Sequence, residues 1–120
     1  MGSTILGSDP DDYLGFSGTL SRDGQTVAVG ASRAIATAYT GYARVYRWDG
    51  SDWAMLGETF VGDAEGDAMG DSLELSADGS TLAIAAFGHS NANGERAGRV
   101  QVFTYSSNLL CREEHQSVNL

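Results

Sequence analysis

Two stretches of the chain are copies of each other. Leu14-Gly15-Phe16-Ser17 and Leu20-Ser21-Arg22-Asp23-Gly24-Gln25-Thr26-Val27-Ala28-Val29 return 55 residues later as Met69-Gly70-Asp71-Ser72 and Leu75-Ser76-Ala77-Asp78-Gly79-Ser80-Thr81-Leu82-Ala83-Ile84. A constant period of this length marks a repeat architecture. One such unit cannot bury both faces of its sheet, so each needs a neighbour and function belongs to the stack.

With 120 residues the chain is at most one small domain, and 16 glycines against one proline suit short strands joined by tight turns. The formal charge of −9 argues against nucleic acid and anionic lipid as partners and makes cations the natural company. Cys111 is the only cysteine, which excludes an internal disulfide and every cysteine-based zinc spacing. No run approaches the roughly 20 apolar residues of a membrane span. The first nine residues have no basic, then apolar, signal-peptide pattern, and Leu6 stands where a myristoylation motif wants Ser or Thr.

Asp23-Gly24 and Asp78-Gly79, each between apolar or alternating runs, predict two-residue hairpin turns. That register sets Leu20 opposite Val27 and Leu75 opposite Leu82, with Ser21 facing Thr26 and Ser76 facing Thr81. Strands are expected near 16–22, 25–32, 42–48 and 53–60, and again near 71–77, 80–87 and 98–105. Trp53 to Gly62 reads as a fourth, outer strand. Its tail, Gly57-Glu58-Thr59-Phe60-Val61-Gly62, matches Gly2-Ser3-Thr4-Ile5-Leu6-Gly7 at the same spacing. The fold expected is therefore all-β: antiparallel four-stranded blades of an incomplete β-propeller, about two blades. Residues 1–7 would be the outer strand of a preceding blade, 8–62 the first complete repeat, and 63–105 three strands of a second. The tail 106–120 lacks the pattern and reads as either a degraded fourth strand or unrelated sequence. Seven units of this size would need roughly 385 residues, so the chain is expected to be a fragment of a closed ring.

Trp53 and Gly57, the acidic loop Gly62 to Asp67, and Gly70, Ser72, Leu75, Ser76, Asp78 and Gly79 resemble the FG-GAP class of β-propeller repeats found in integrin α subunits. The likeness covers about residues 2–105. Phe-Gly appears as Leu14-Gly15 and Met69-Gly70, and Gly-Ala-Pro as Gly30-Ala31-Ser32 and Ala85-Ala86-Phe87. The resemblance implies an extracellular or cell-surface parent protein that binds ligands, and it implies no reaction. Trp48-Asp49 imitates the WD dipeptide, but Tyr105-Ser106 stands at its place in the second copy.

Asp63, Glu65, Asp67 and Asp71 occupy positions 1, 3, 5 and 9 of one loop, the carboxylate spacing of integrin-like calcium loops. Calcium takes six to eight hard oxygens, which alternate residues of a curved loop can supply. Against this, Ala68 stands where such loops need glycine, the loop precedes the first strand instead of following it, and the first copy, from Ser8 to Phe16, does not keep the spacing. The competing reading is a solvated acidic loop. Ser90-Asn91-Ala92-Asn93-Gly94-Glu95 could add oxygen ligands, but its composition reads first as a surface turn. Trp48, Trp53, Tyr46 and Phe103 read as packing between blades, with a carbohydrate platform as the alternative.

Catalytic patterns fail on inspection. Gly15-Phe16-Ser17-Gly18-Thr19 lacks the last glycine of a nucleophile elbow, and His89 and His115 have no metal or acid–base motif around them. The function expected is a non-catalytic binding or structural segment of a surface or secreted protein. Its ligand would be protein or glycan, and its partners neighbouring blades or further copies of itself. The alternatives are a fragment of a propeller enzyme whose catalytic groups lie elsewhere, and a truncated product with no independent function.

Overall fold

A computed structural model describes residues 2–33, 40–90, 92–105 and 112–119. The fold is all-β, with nine strands and no helix among the described residues. The first sheet contains β1 (Ser17–Leu20), β2 (Thr26–Ala31), β3 (Tyr42–Trp48), β4 (Trp53–Met55) and β5 (Phe60–Val61). The second contains β6 (Met69–Leu75), β7 (Thr81–Ala86), β8 (Arg99–Tyr105) and β9 (Arg112–Asn119). Neighbours in the orders β1-β2-β3-β4 and β6-β7-β8-β9 pair antiparallel, and β5 pairs β3 on the same edge as β4. No described helix is long and apolar enough to cross a membrane.

Leu20 faces Val27 and Leu75 faces Leu82, the register expected from the repeat. The turn itself differs from the two-residue form. Ser21 and Ser76 close the ladder by donating to the carbonyls of Thr26 and Thr81, each at 2.9 Å, and the Gly24 and Gly79 N–H groups fold back to the carbonyls of Ser21 and Ser76. A two-residue type I′ turn needs positive φ at both central positions. Here Gly24 (+74°) and Gly79 (+76°) have it, whereas Asp23 and Asp78 do not. The aspartates act through their side chains. Asp23 Oδ1 accepts from the Ser21 hydroxyl at 2.8 Å and the Gln25 N–H at 2.9 Å, while Ser21 Oγ accepts from the Thr26 N–H at 3.1 Å. Ser76, Asp78, Ser80 and Thr81 repeat this arrangement. The Ser-x-Asp-Gly-x-Thr string is thus a side-chain lock on the hairpin.

The outer strand is interrupted between β4 and β5. Tyr46 faces Met55 and Ala43 faces Phe60, so four residues, Leu56 to Thr59, stand against two of β3. Gly57 absorbs the detour at φ +74°, and Leu56 uses it to turn its side chain into the core, where it is 2% exposed. The tail supplies β9, which pairs β8 from Arg99–Asn119 to Tyr105–Arg112, so the second sheet has four strands instead of three. Residues 2–7 form no strand. They run past the edge of the first sheet, where Ser3 donates to Asp52 through its N–H at 2.8 Å and its hydroxyl at 3.0 Å.

The two sheets stack in one direction. Ala28, Ala43 and Val45 on the back of the first sheet, with Leu56 and Phe60, share one core with Leu73, Leu75, Leu82, Ile84 and Phe103 on the front of the second. Phe60 and Phe103 meet at 4.5 Å between ring centroids, so Phe103 does pack between sheets. Trp48 and Trp53 instead pair edge to face at 5.5 Å on the outer margin of the first sheet.

Small residues bring the sheets this close. A Cβ on Gly30 would collide with the Gly70 carbonyl oxygen, and one on Gly41 with the Met69 backbone. Gly41 and Met69 form a parallel bridge, the Ser17 hydroxyl donates to the Gly70 carbonyl at 2.6 Å, and the Arg22 N–H donates to the Ala77 carbonyl at 2.8 Å. Backbone thus meets backbone along the seam, most closely at Gly30 and Gly41, where there is room only for glycine.

Candidate functional site

The acidic loop between β5 and β6 is organised by Asp67. Its side chain is buried, and Oδ2 accepts from the Asp63 N–H at 3.0 Å, the Ala64 N–H at 3.3 Å and the His89 imidazole Nδ1 at 2.9 Å. His89 comes from the loop after β7, which is held in place by the Gly88 N–H on the Asp67 carbonyl at 3.1 Å. Asp63 projects outward, and its Oδ2 accepts from Arg99 Nη1 at 2.7 Å. One candidate ligand atom from each of Asp63, Asp67 and His89 falls within 4.8 Å of the others, which makes these three a candidate metal-binding group.

This is not the set read from the sequence. Asp63 and Asp67 come together, but Glu65 is exposed and Asp71 is half-buried, and neither belongs to the group. The donor set also fits calcium poorly. Calcium wants six to eight oxygens, and an imidazole belongs to borderline ions such as zinc. Asp67 Oδ2 already collects three N–H groups, and the Arg99 guanidinium already neutralises Asp63. The Ser90 to Glu95 segment is placed only in part, since Asn91 lies outside the described residues. The tail's Cys111 is outside them too, and the His115 side chain is not described.

The first repeat has the same device in a different spelling. Asp12, 55 residues before Asp67, is equally buried, and its Oδ2 accepts from the Ser8 N–H at 3.1 Å and the Asp9 N–H at 3.0 Å. The third donor is the Tyr42 hydroxyl at 2.7 Å, in place of an imidazole. Burial, and secondarily the carboxylate on its hydroxyl, raises the Tyr42 pKa above its ordinary value. The repeat spacing was the signal for Asp12. It was obscured because Asp9 and Asp11 flank it and because the other carboxylates of the second loop have no counterparts.

Position 68 explains the glycine that calcium-type loops require. Ala68 has φ +57°, and Tyr13, its partner in the first repeat, has φ +56°. Both loops therefore turn through a left-handed residue directly after the buried aspartate. The loop geometry is common to both repeats, whereas the carboxylate spacing is not, so the shape serves the fold before it serves any ion.

At the same end of the molecule, a cleft of about 180 Å³ lies between the repeats, lined by Ser32, Arg33, Gly66, Ala68, Phe87 and Arg96. None of these was singled out as a site residue from sequence. No protein-family model matches the chain, and no curated protein matches it in sequence.

Proposed function

We propose that the chain is a non-catalytic binding and structural segment, two FG-GAP-like propeller blades whose sheets stack on further copies of the same unit and whose end loops hold the ligand. One observation carries this reading. Leu20, Val27, Val29 and Tyr46 on the front of the first sheet occupy the repeat positions of Leu75, Leu82, Ile84 and Phe103, which are packed against the first sheet's back. Leu20 is 57% exposed, and Val27, Val29 and Tyr46 are only half-buried. On the back of the second sheet, Ala83, Val100 and Val102 correspond to the buried Ala28, Ala43 and Val45, and they too are half-buried. Each outer face therefore repeats one side of an interface already present inside the chain. A head-to-tail contact of this kind propagates into rings or filaments.

The test uses two variants of the whole chain. The unmodified protein should associate with rising concentration in sedimentation velocity. Leu20→Glu and Ala83→Lys should each be monomeric with unchanged circular dichroism, and their mixture should form one heterodimer, because each variant keeps the face the other lacks. A chain that stays monomeric at all concentrations, or two variants that associate as before, would overturn the reading. Calcium in the loop, with Asp63, Glu65, Asp67 and Asp71 as ligands, is the finer form of the metal reading. The imidazole and guanidinium around Asp63 and Asp67 count against it.

A further inference from the structure

We propose that the cleft between the repeats binds an oxyanion carried on a sugar ring, the acidic substituent of a glycan. This deepens the binding-segment reading, on which it rests, by naming the ligand class the end loops take.

Arg33, just beyond β2, and Arg96, in the loop before β8, reach the same cleft from different repeats. Both are exposed, and among the described residues neither guanidinium has a carboxylate partner. The Arg33 guanidinium is held over the Phe16 ring at 5.1 Å. Planar guanidinium forks match carboxylate and sulfate oxygens in pairs, which ammonium groups do not.

A second observation points independently to a ligand. Ser32 is 1% exposed and its hydroxyl, in the cleft wall, has no hydrogen-bond partner among the described residues. Buried hydroxyls in native structures are almost always satisfied, so Ser32 brings an open hydrogen-bonding group to the cleft wall. Phe87 supplies the remaining character. It is 53% exposed in the cleft, an apolar plate for one face of a ring. Two residues of the wall, Ala68 and Arg96, are held at φ +57° and +55°. Arg96 is thereby fixed in a left-handed turn, a conformation found at ligand clamps.

The net charge of −9 opposes any anion at long range. Exposed Glu65 and Glu95 stand beside Gly66 and Arg96 in sequence. Salt screens such exposed charges beyond about 8 Å at physiological ionic strength, whereas a direct guanidinium–oxyanion contact survives. The buried Asp67 carboxylate keeps its charge, but its Oδ2 is engaged by His89 and the loop N–H groups.

Titrations of the full chain with sodium glucuronate, sodium acetate, sodium sulfate and glucose, followed by amide NMR shifts, test the proposal. Glucuronate should shift the amides of residues 32, 33, 66 to 68 and 96, with acetate and sulfate weaker and glucose silent. Arg96→Gln and Arg33→Gln should each weaken glucuronate about tenfold or more. Phe87→Ser should lower glucuronate affinity while leaving sulfate unchanged. Acetate or sulfate binding as tightly as glucuronate, glucose binding equally, or no shifts at all would each overturn the proposal. Absence of binding in a chain that still self-associates would remove this inference and leave the stacking reading standing.

Discussion

Asp12 and Asp67 hold the same place in their loops, each buried and each accepting the N–H groups of the residues three and four positions before it. Only the third donor differs, Tyr42 for Asp12 and His89 for Asp67. Removing either carboxylate strands two backbone donors and a buried side chain. Asp67→Ala and Asp12→Ala should each lower stability by about 2–4 kcal/mol in chemical denaturation. Asp67→Asn keeps an acceptor for the loop and should cost about half as much. Equal losses for Ala and Asn would show that charge, and not loop capping, is what the position supplies.

The seam between the sheets yields a prediction with its own control. Gly30 has no room for a methyl group, since the Gly70 carbonyl blocks it, whereas a Cβ on Gly18 would meet only the Ala28 carbonyl at 3.6 Å. Gly30→Ala should therefore cost about 2 kcal/mol or more through forced separation of the sheets. Gly18→Ala should fall within about 0.5 kcal/mol of the parent. Thermal unfolding of both proteins, side by side, separates crowding from a general effect of replacing glycine in a strand.

The parts of the fold governed by local chemistry were legible in the sequence, and the parts governed by distant contacts were not. Leu20 opposite Val27 follows from one Asp-Gly step and the alternation around it, so the register could be read directly. The break in the outer strand could not, because it depends on Leu56 finding the core and Gly57 tolerating the detour. The strand β9 is defined by backbone pairing to β8, which leaves no repeat signature in Arg112–Asn119. At the site, Asp63 and Asp67 were visible as members of an acidic run. His89 was not, since it lies 22 residues away from Asp67 and approaches on another loop.

Ala68 is a residue that the fold uses in a conformation better suited to glycine, at φ +57°. A left-handed L-residue costs roughly 1–2 kcal/mol, and glycine's extra freedom in the unfolded chain takes back part of that gain. Ala68→Gly should raise stability by about 0.5 kcal/mol, seen as a small increase in Tm. A decrease would mean that the buried methyl group contributes more to packing than the backbone loses in strain.

The hairpin locks make an acid-range prediction. Asp78 has its pKa drawn down to about 2, chiefly by the Ser80 N–H and then by the Ser80 and Ser76 hydroxyls. Asp23 is lowered in the same way by the Gln25 N–H and the Ser21 hydroxyl. A carboxyl depressed in the folded state contributes stability above its unfolded pKa, near 4, and loses that contribution as pH falls through the folded value. The stability supplied by the Asp78 lock should therefore be constant above about pH 5 and decline from about pH 4 toward pH 2. Carboxyl carbon NMR should place Asp78 well below the ordinary aspartate value, and Asp78→Asn should flatten the acid limb of the stability profile. An unchanged limb would remove the lock from the pH dependence.

The metal question turns on whether the donors around Asp67 can be displaced. Calcium would have to compete with the Asp63 N–H, the Ala64 N–H and the His89 ring for Oδ2, and with Arg99 for Asp63. It would gain few oxygens in return, because Glu65 and Asp71 are not in the group. Millimolar calcium should therefore leave Tm unchanged, whereas a ligand bound only to the folded state raises it by mass action. Magnesium, stricter in its octahedral geometry, should likewise have no effect. Asp9→Ala serves as the reference, since Asp9 meets Asp12 only through its backbone, its N–H donating to Oδ2 and its carbonyl accepting from the Asp12 N–H at 3.3 Å. A calcium-dependent rise in Tm that Asp67→Ala abolishes and Asp9→Ala preserves would mean that the loop rearranges to bring Glu65 and Asp71 inward, and would restore the four-carboxylate site.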